Sequence, residues 1–261
     1  MNNNDMQEQN KKIEERMNKI GHKIAVASGK GGVGKSLVTG LLATTLAKKG
    51  YKVGILDADI TGPSIPHMFG VEGILGKEDS GILPPVSEKG IKIMSLSLVL
   101  QDNSAAVIWR GPMISNAIRQ FLYDIEWGEL DYLIVDLPPG TSDAPLTVMQ
   151  NIKLDGMVVV TSPQQLAFEI VRKAISMSKT MEVNVLGLVE NMSYAICPKC
   201  DEKIMIFGEA DGEGLADKAK VPFLGDIPLD PDIAYFADNG KIEEYDKDFV
   251  DSIVDKIIKD L

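Results

Sequence analysis

The sequence has only two cysteines among 261 residues, Cys197 and Cys200. A secreted scaffold stapled by disulfides needs several pairs, so that class is excluded. Long apolar runs are lacking too: no stretch approaches the ~20 residues that a transmembrane helix requires. The start, Met1-Asn2-Asn3-Asn4-Asp5, is polar and carries no hydrophobic signal segment. Basic residues are in deficit, 27 against 38 acidic, giving a net charge of −11. A sequence-independent nucleic-acid binder needs a basic face to release phosphate counterions, which argues against that class. These shortages predict a cytoplasmic protein with neither membrane nor nucleic acid among its partners. A hydrophobic content of 44% is enough for one large α/β domain.

What the chain does have is glycine concentrated at one place. Gly29-Lys30-Gly31-Gly32-Val33-Gly34-Lys35-Ser36 fits the pattern G-x-x-x-x-G-K-[ST]. An apolar run, Ile24–Ala27, precedes it and reads as a buried strand. Leu37–Lys49 follows and reads as a helix stopped by Gly50. Strand, glycine loop and helix form the context that makes this pattern a phosphate site. Glycines let successive backbone N–H groups turn inward around a phosphate, and the helix N-terminus adds partial positive charge. Lys35 is expected to reach the β- and γ-phosphates of ATP, and the Ser36 hydroxyl to ligate Mg²⁺.

Two acidic strand ends complete that reading. Lys52–Leu56 runs into Asp57-Ala58-Asp59, and Tyr132–Val135 runs into Asp136. Ligands of open α/β sheets bind at the carboxyl ends of the strands. Asp59 is placed to orient or deprotonate a water against the γ-phosphate. Asp57 and Asp136 are placed to support Mg²⁺ through its waters. Beyond Asp136, Pro138-Pro139-Gly140 suits a switch segment, because the Gly140 N–H can approach a phosphate with no Cβ in the way. Arg110, before a predicted helix over Pro112–Tyr123, suits a phosphate or partner contact and equally a structural salt bridge.

Further strand-like runs at Ile91–Leu100, Gly156–Thr161, Val185–Val189 and Val221–Leu224 alternate with helices such as Gln164–Thr180. The fold expected is α/β, a doubly wound and mostly parallel sheet of the P-loop NTPase type. Residues 1–20 read as a flexible polar arm, and 21–261 as one ATPase domain. The amphipathic Phe249–Leu261 stretch has an acidic polar face, which favours packing on the core over a lipid surface.

Cys197-Pro198-Lys199-Cys200 has strand-like flanks and forms an inserted hairpin at about 194–207. A redox pair of this spacing should open a helix, so that the dipole lowers a thiolate pKa. Zinc and [4Fe–4S] both want four ligands, and two thiolates cannot supply them alone. A symmetric homodimer supplies the other two. Both metals accept four thiolates, so spacing leaves iron–sulfur and zinc open.

Lys30 makes the loop resemble the deviant Walker A motif of the MinD/ParA/nitrogenase-iron-protein class. The resemblance implies that Lys30 reaches the nucleotide held by the partner of a dimer. Leu37 departs from it, standing where many members carry a second hydroxyl. With Asp57–Pro66, Trp109–Pro112, Asp131–Asp143, Asn191–Ser193 and the cysteine pair, the chain resembles the Mrp/ApbC iron–sulfur cluster carriers over roughly residues 20–240. That resemblance implies a homodimer that holds a labile [4Fe–4S] cluster and passes it to acceptor apoproteins, with weak Mg²⁺-dependent ATP hydrolysis gating the process. It also implies that Asn191 contacts the adenine and that Pro228 lies in the segment lining it. The rival expectation is a ParA/MinD-type positioning switch with a structural zinc clamp at the cysteines.

Overall fold

The computed structural model describes residues 3–59, 62, 64–73, 76–78, 81–95, 98, 111–141, 143–163, 167–208 and 211–261. Trp109, Arg110, parts of the 57–66 segment and the end of the run predicted over Ile91–Leu100 lie outside them.

Seven strands form one sheet: β1 (Ile20–Ser28), β2 (Val53–Asp57), β5 (Lys92–Ser95), β6 (Leu130–Asp136), β7 (Gly156–Thr161), β8 (Val185–Asn191) and β11 (Phe223–Ile227). Their order is β11-β8-β7-β1-β6-β2-β5, and every pairing is parallel. The remaining strands form two small antiparallel hairpins, β3 (Gly76–Glu78) with β4 (Gly81–Leu83) and β9 (Ala195–Ile196) with β10 (Lys203–Ile204).

Why the central strands read as unbroken apolar runs is visible in the two cores. Side chains alternate across a strand, and here both faces are covered by helices. Ile24, Val26, Tyr132, Ile134, Val158 and Val160 enter one core, with the Lys35–Lys48 and Asp251–Asp260 helices. Ala25, Ala27, Leu133, Val135, Met157 and Val159 enter the other, with the Gly111–Asp124 and Ala167–Thr180 helices. The terminal helix packs on the sheet as expected: Ile253, Val254 and Ile257 are buried, and Asp255 meets Lys49 at 2.8 Å. Among the described residues no helix is long and apolar enough to cross a membrane.

The stretch expected as a flexible arm is helical over Asn3–Met17, and its last turn is docked. Ile13 and Met17 pack against the second core. Arg16 is buried, donates to the Ile125 carbonyl and lies 3.5 Å from Glu126. A guanidinium satisfied at both ends holds the helix where apolar contact alone is sparse.

Candidate nucleotide and thiolate sites

The phosphate loop follows β1, the strand between β7 and β6 in the sheet. The Lys35–Lys48 helix starts from Gly34, whose φ of +78° suits a residue without Cβ. A Cβ there would also lie 2.2 Å from the Asn191 amide nitrogen, so glycine is required twice over. Gly31, Gly32, Gly34, Lys35, Ser36, Leu37, Asp59 and Pro139 line a cavity of about 310 Å³ in front of the loop.

Behind that cavity the ionic groups converge. Lys35 Nζ lies 2.8 Å from Asp136 Oδ1, 3.6 Å from Asp59 and 3.3 Å from the Ser36 hydroxyl. Ser36 Oγ donates to Asp136 Oδ2 at 2.5 Å. Asp57 pairs in register with Asp136 across β2 and β6, and its Oδ1 accepts from the Asp59 N–H at 3.1 Å. Its Oδ2 is buried with no hydrogen-bond partner. Burial, and then the neighbouring Asp136 charge, push the Asp57 carboxyl up to about 7. The geometry brings Lys35, Ser36, Asp57, Asp59 and Asp136 together, as their sequence positions predict. A hydroxyl, a carboxylate bonded to it and an unsatisfied buried carboxylate oxygen are all hard oxygen donors, the kind Mg²⁺ takes.

Three hydroxyls that the motifs do not include complete the arrangement. Thr39, one turn beyond Lys35, donates to Asp136 Oδ1 at 2.8 Å. Ser95 pairs in register with Asp57 at the end of β5 and hydrogen-bonds its carboxylate. The Ser28 hydroxyl donates to the Lys30 carbonyl at 2.9 Å, while the Ser28 carbonyl accepts from the Gly140 N–H at 2.9 Å. The predicted switch glycine is thus tied to the base of the phosphate loop. Asn191 is only 1% exposed and donates its side-chain amide to the Val33 carbonyl at 2.9 Å. Pro228 is buried just beyond β11.

The cysteine pair sits at the tip of the β9–β10 hairpin. The Cys197 N–H donates to the Glu202 carbonyl at 2.9 Å, and the Asp201 N–H to the Cys197 carbonyl at 3.0 Å. The Lys199 N–H bonds the Cys197 sulfur, joined by the Cys200 thiol and N–H, and together they hold the Cys197 thiol below its ordinary range. Amide donors aimed at sulfur stabilise a thiolate where no helix dipole is present. Cys200 is exposed. Ile196 and Ile204 in the hairpin strands, and Met205, Ile206 and Phe207 just after β10, are exposed as well. Among the described residues no group of three or more His, Cys, Asp or Glu gathers as a metal site.

The model of the NUBPL iron-transfer P-loop NTPases matches residues 19–261. The chain belongs to that family. An iron–sulfur cluster carrier protein of Methanococcus maripaludis is 47% identical, over 98% of this chain and 92% of its own length. A cytosolic Fe-S cluster assembly factor Nubp2 homolog of Anopheles gambiae is 47% identical over 86% of this chain and 89% of its own. A nucleotide-binding protein of Archaeoglobus fulgidus, solved in complex with ADP, superposes with a TM-score of 0.83. It is 50% identical and covers 92% of this chain and 94% of its own. The cell-division ATPase MinD of Pyrococcus furiosus, at 22% identity and a TM-score of 0.68 over 92% of this chain and all of its own, shares the fold.

Proposed function

We propose that this protein is an ATP-dependent iron–sulfur cluster carrier that works in the cytosol as a homodimer. It holds a labile [4Fe–4S] cluster between two copies and passes it to acceptor apoproteins. The observation that carries this reading is the hairpin tip that sets Cys197 beside the exposed Cys200, with backbone amides directed at the Cys197 sulfur. Such a pair is half of a four-thiolate site, and a second copy related by a two-fold axis supplies the other half. The exposed apolar side chains in and just after the hairpin strands offer that copy a surface to bury. The curated relatives named as cluster carriers support the same cargo.

At the other site, Gly29 through Gly34 wrap the phosphates, with Lys30 reaching the partner's nucleotide. Lys35 moves from Asp136 onto the β- and γ-phosphates, as its flexible stem permits. Ser36, Asp136 and Asp57 would hold Mg²⁺, which would neutralise phosphate charge. Asp59 orients the attacking water, and Gly140 closes on the γ-phosphate after leaving Ser28. Hydrolysis of this kind is mostly positioning and charge neutralisation, so weak turnover suits a gate. Asn191 and Pro228 border the adenine end of the site.

A transfer assay tests the reading. Cluster-loaded protein is mixed anaerobically with an apo-enzyme that needs [4Fe–4S] for activity, with and without MgATP. Recovery of that activity in the presence of a chelator that captures free iron supports direct transfer. Recovery abolished by the chelator overturns it.

A further inference from the structure

Only the four residues Asn191–Tyr194 separate a hydrogen bond to the phosphate loop from the start of the cysteine hairpin. Asn191 ends β8 and donates its side-chain amide to the Val33 carbonyl at 2.9 Å. The following Met192 has φ +60°, the left-handed region that a side chain rarely adopts. Its terminal methyl would lie 3.4 Å from a Cβ at Gly34, so this residue too reaches the loop. Ser193 donates its N–H to the Ile227 carbonyl at 3.1 Å, and the Tyr194 carbonyl accepts from the Leu229 N–H at 2.7 Å. Lys203, from the other strand of the hairpin, lies over the Tyr194 ring at 4.0 Å. β9 begins at the next residue and leads directly into Cys197.

We propose that Asn191 is a latch that transmits the state of the phosphate loop to Cys197 and Cys200. The inference rests on the reading of these two places as nucleotide and cargo sites, and it concerns their regulation. Phosphate is bound by loop N–H groups, and the Val33 carbonyl belongs to the same rigid peptide as the Gly34 N–H. Any reorientation of that peptide is felt at the Asn191 amide. From there the left-handed joint and the anchored Ser193–Tyr194 turn leave the chain little freedom to absorb it before the hairpin. Asn191 is a positioning residue on this account: it acts through the loop and the joint. Coupling between two sites is reciprocal, so thiolate ligation equally biases nucleotide affinity.

The full chain, stripped of metal by a chelator, is alkylated with iodoacetamide, and the rate at Cys197 and Cys200 is followed by mass spectrometry. In wild type, saturating ADP changes that rate by about fivefold or more, the lower end of typical coupling. In Asn191→Ala, compared at its own saturating ADP concentration, the ratio falls to about one. An unchanged ratio in the variant overturns the latch, as does a wild-type rate indifferent to ADP. Failure of Asn191→Ala to bind ADP at all assigns the residue to the nucleotide and also overturns it. Where Asn191→Ala does not fold by circular dichroism, Met192→Gly decides: it keeps the amide but frees the joint, and the ratio should fall. Iron and sulfide play no part in the measurement, so failure of the cargo reading shows separately, as a protein that takes up no cluster.

Discussion

Asp57 and Asp136 stand opposite each other at the ends of adjacent parallel strands, yet only Asp136 makes a 2.8 Å ion pair with Lys35, and Asp57 keeps a buried oxygen with no hydrogen-bond partner. Two carboxylates this deep cannot both ionise cheaply, so the site stores a charge that a cation relieves. The carboxylates and Lys35 therefore answer for both stability and binding.

Lys35→Ala removes an ammonium placed among Asp59, Asp136 and the Ser36 hydroxyl. ATP affinity should fall roughly a hundredfold, the loss expected when one partner of a buried charged contact is deleted. Titration with a fluorescent ATP analogue measures it. Undiminished affinity would remove Lys35 from the phosphate site.

For Asp57 the sign of the pH dependence follows from its raised carboxyl, about 7 against an ordinary 3.8. Below the ordinary value both folded and unfolded chains hold the proton, and the contribution to stability is fully present. As pH rises toward 7 the unfolded chain releases its proton first, so that contribution is lost. In chelator, the stability advantage of Asp57→Asn over wild type should grow between about pH 4 and 7, to on the order of 4 kcal/mol, and then level off. Urea unfolding across that range measures the difference, and a flat one contradicts the assignment.

Arg16→Ala leaves the Ile125 carbonyl and Glu126 without their buried partner. A cost of about 1–3 kcal/mol follows for groups so abandoned. Urea denaturation should show it, together with faster amide exchange along the Asn3–Met17 helix. An unchanged midpoint would mean that the helix contributes nothing to the fold.

The sheet was legible in the sequence because helices cover both its faces, which leaves the central strands unbroken apolar runs with glycine or aspartate at their ends. The phosphate loop was legible because its glycines, lysine and serine all act within eight consecutive positions. Thr39, Ser28 and Ser95 were not, since a small hydroxyl inside an apolar segment leaves no periodic trace. Arg16 was equally silent: one arginine in a charged run looks solvated until its partners, Ile125 and Glu126, arrive from more than a hundred residues away. The bond from Asn191 to Val33 spans 158 positions and depends on β8 lying two strands from β1, a matter of topology that spacing does not encode.

On the proposed function, two chains share one iron–sulfur cluster through Cys197 and Cys200. Anaerobic reconstitution with iron and sulfide, read by visible absorption and by metal and sulfide analysis on wild type and Cys197→Ala, tests it most directly. The expected result is a charge-transfer band with about four iron and four sulfide per dimer, lost in the variant while its circular dichroism is unchanged. Tightly held zinc with no uptake of sulfide, or iron fully retained by Cys197→Ala, would contradict it.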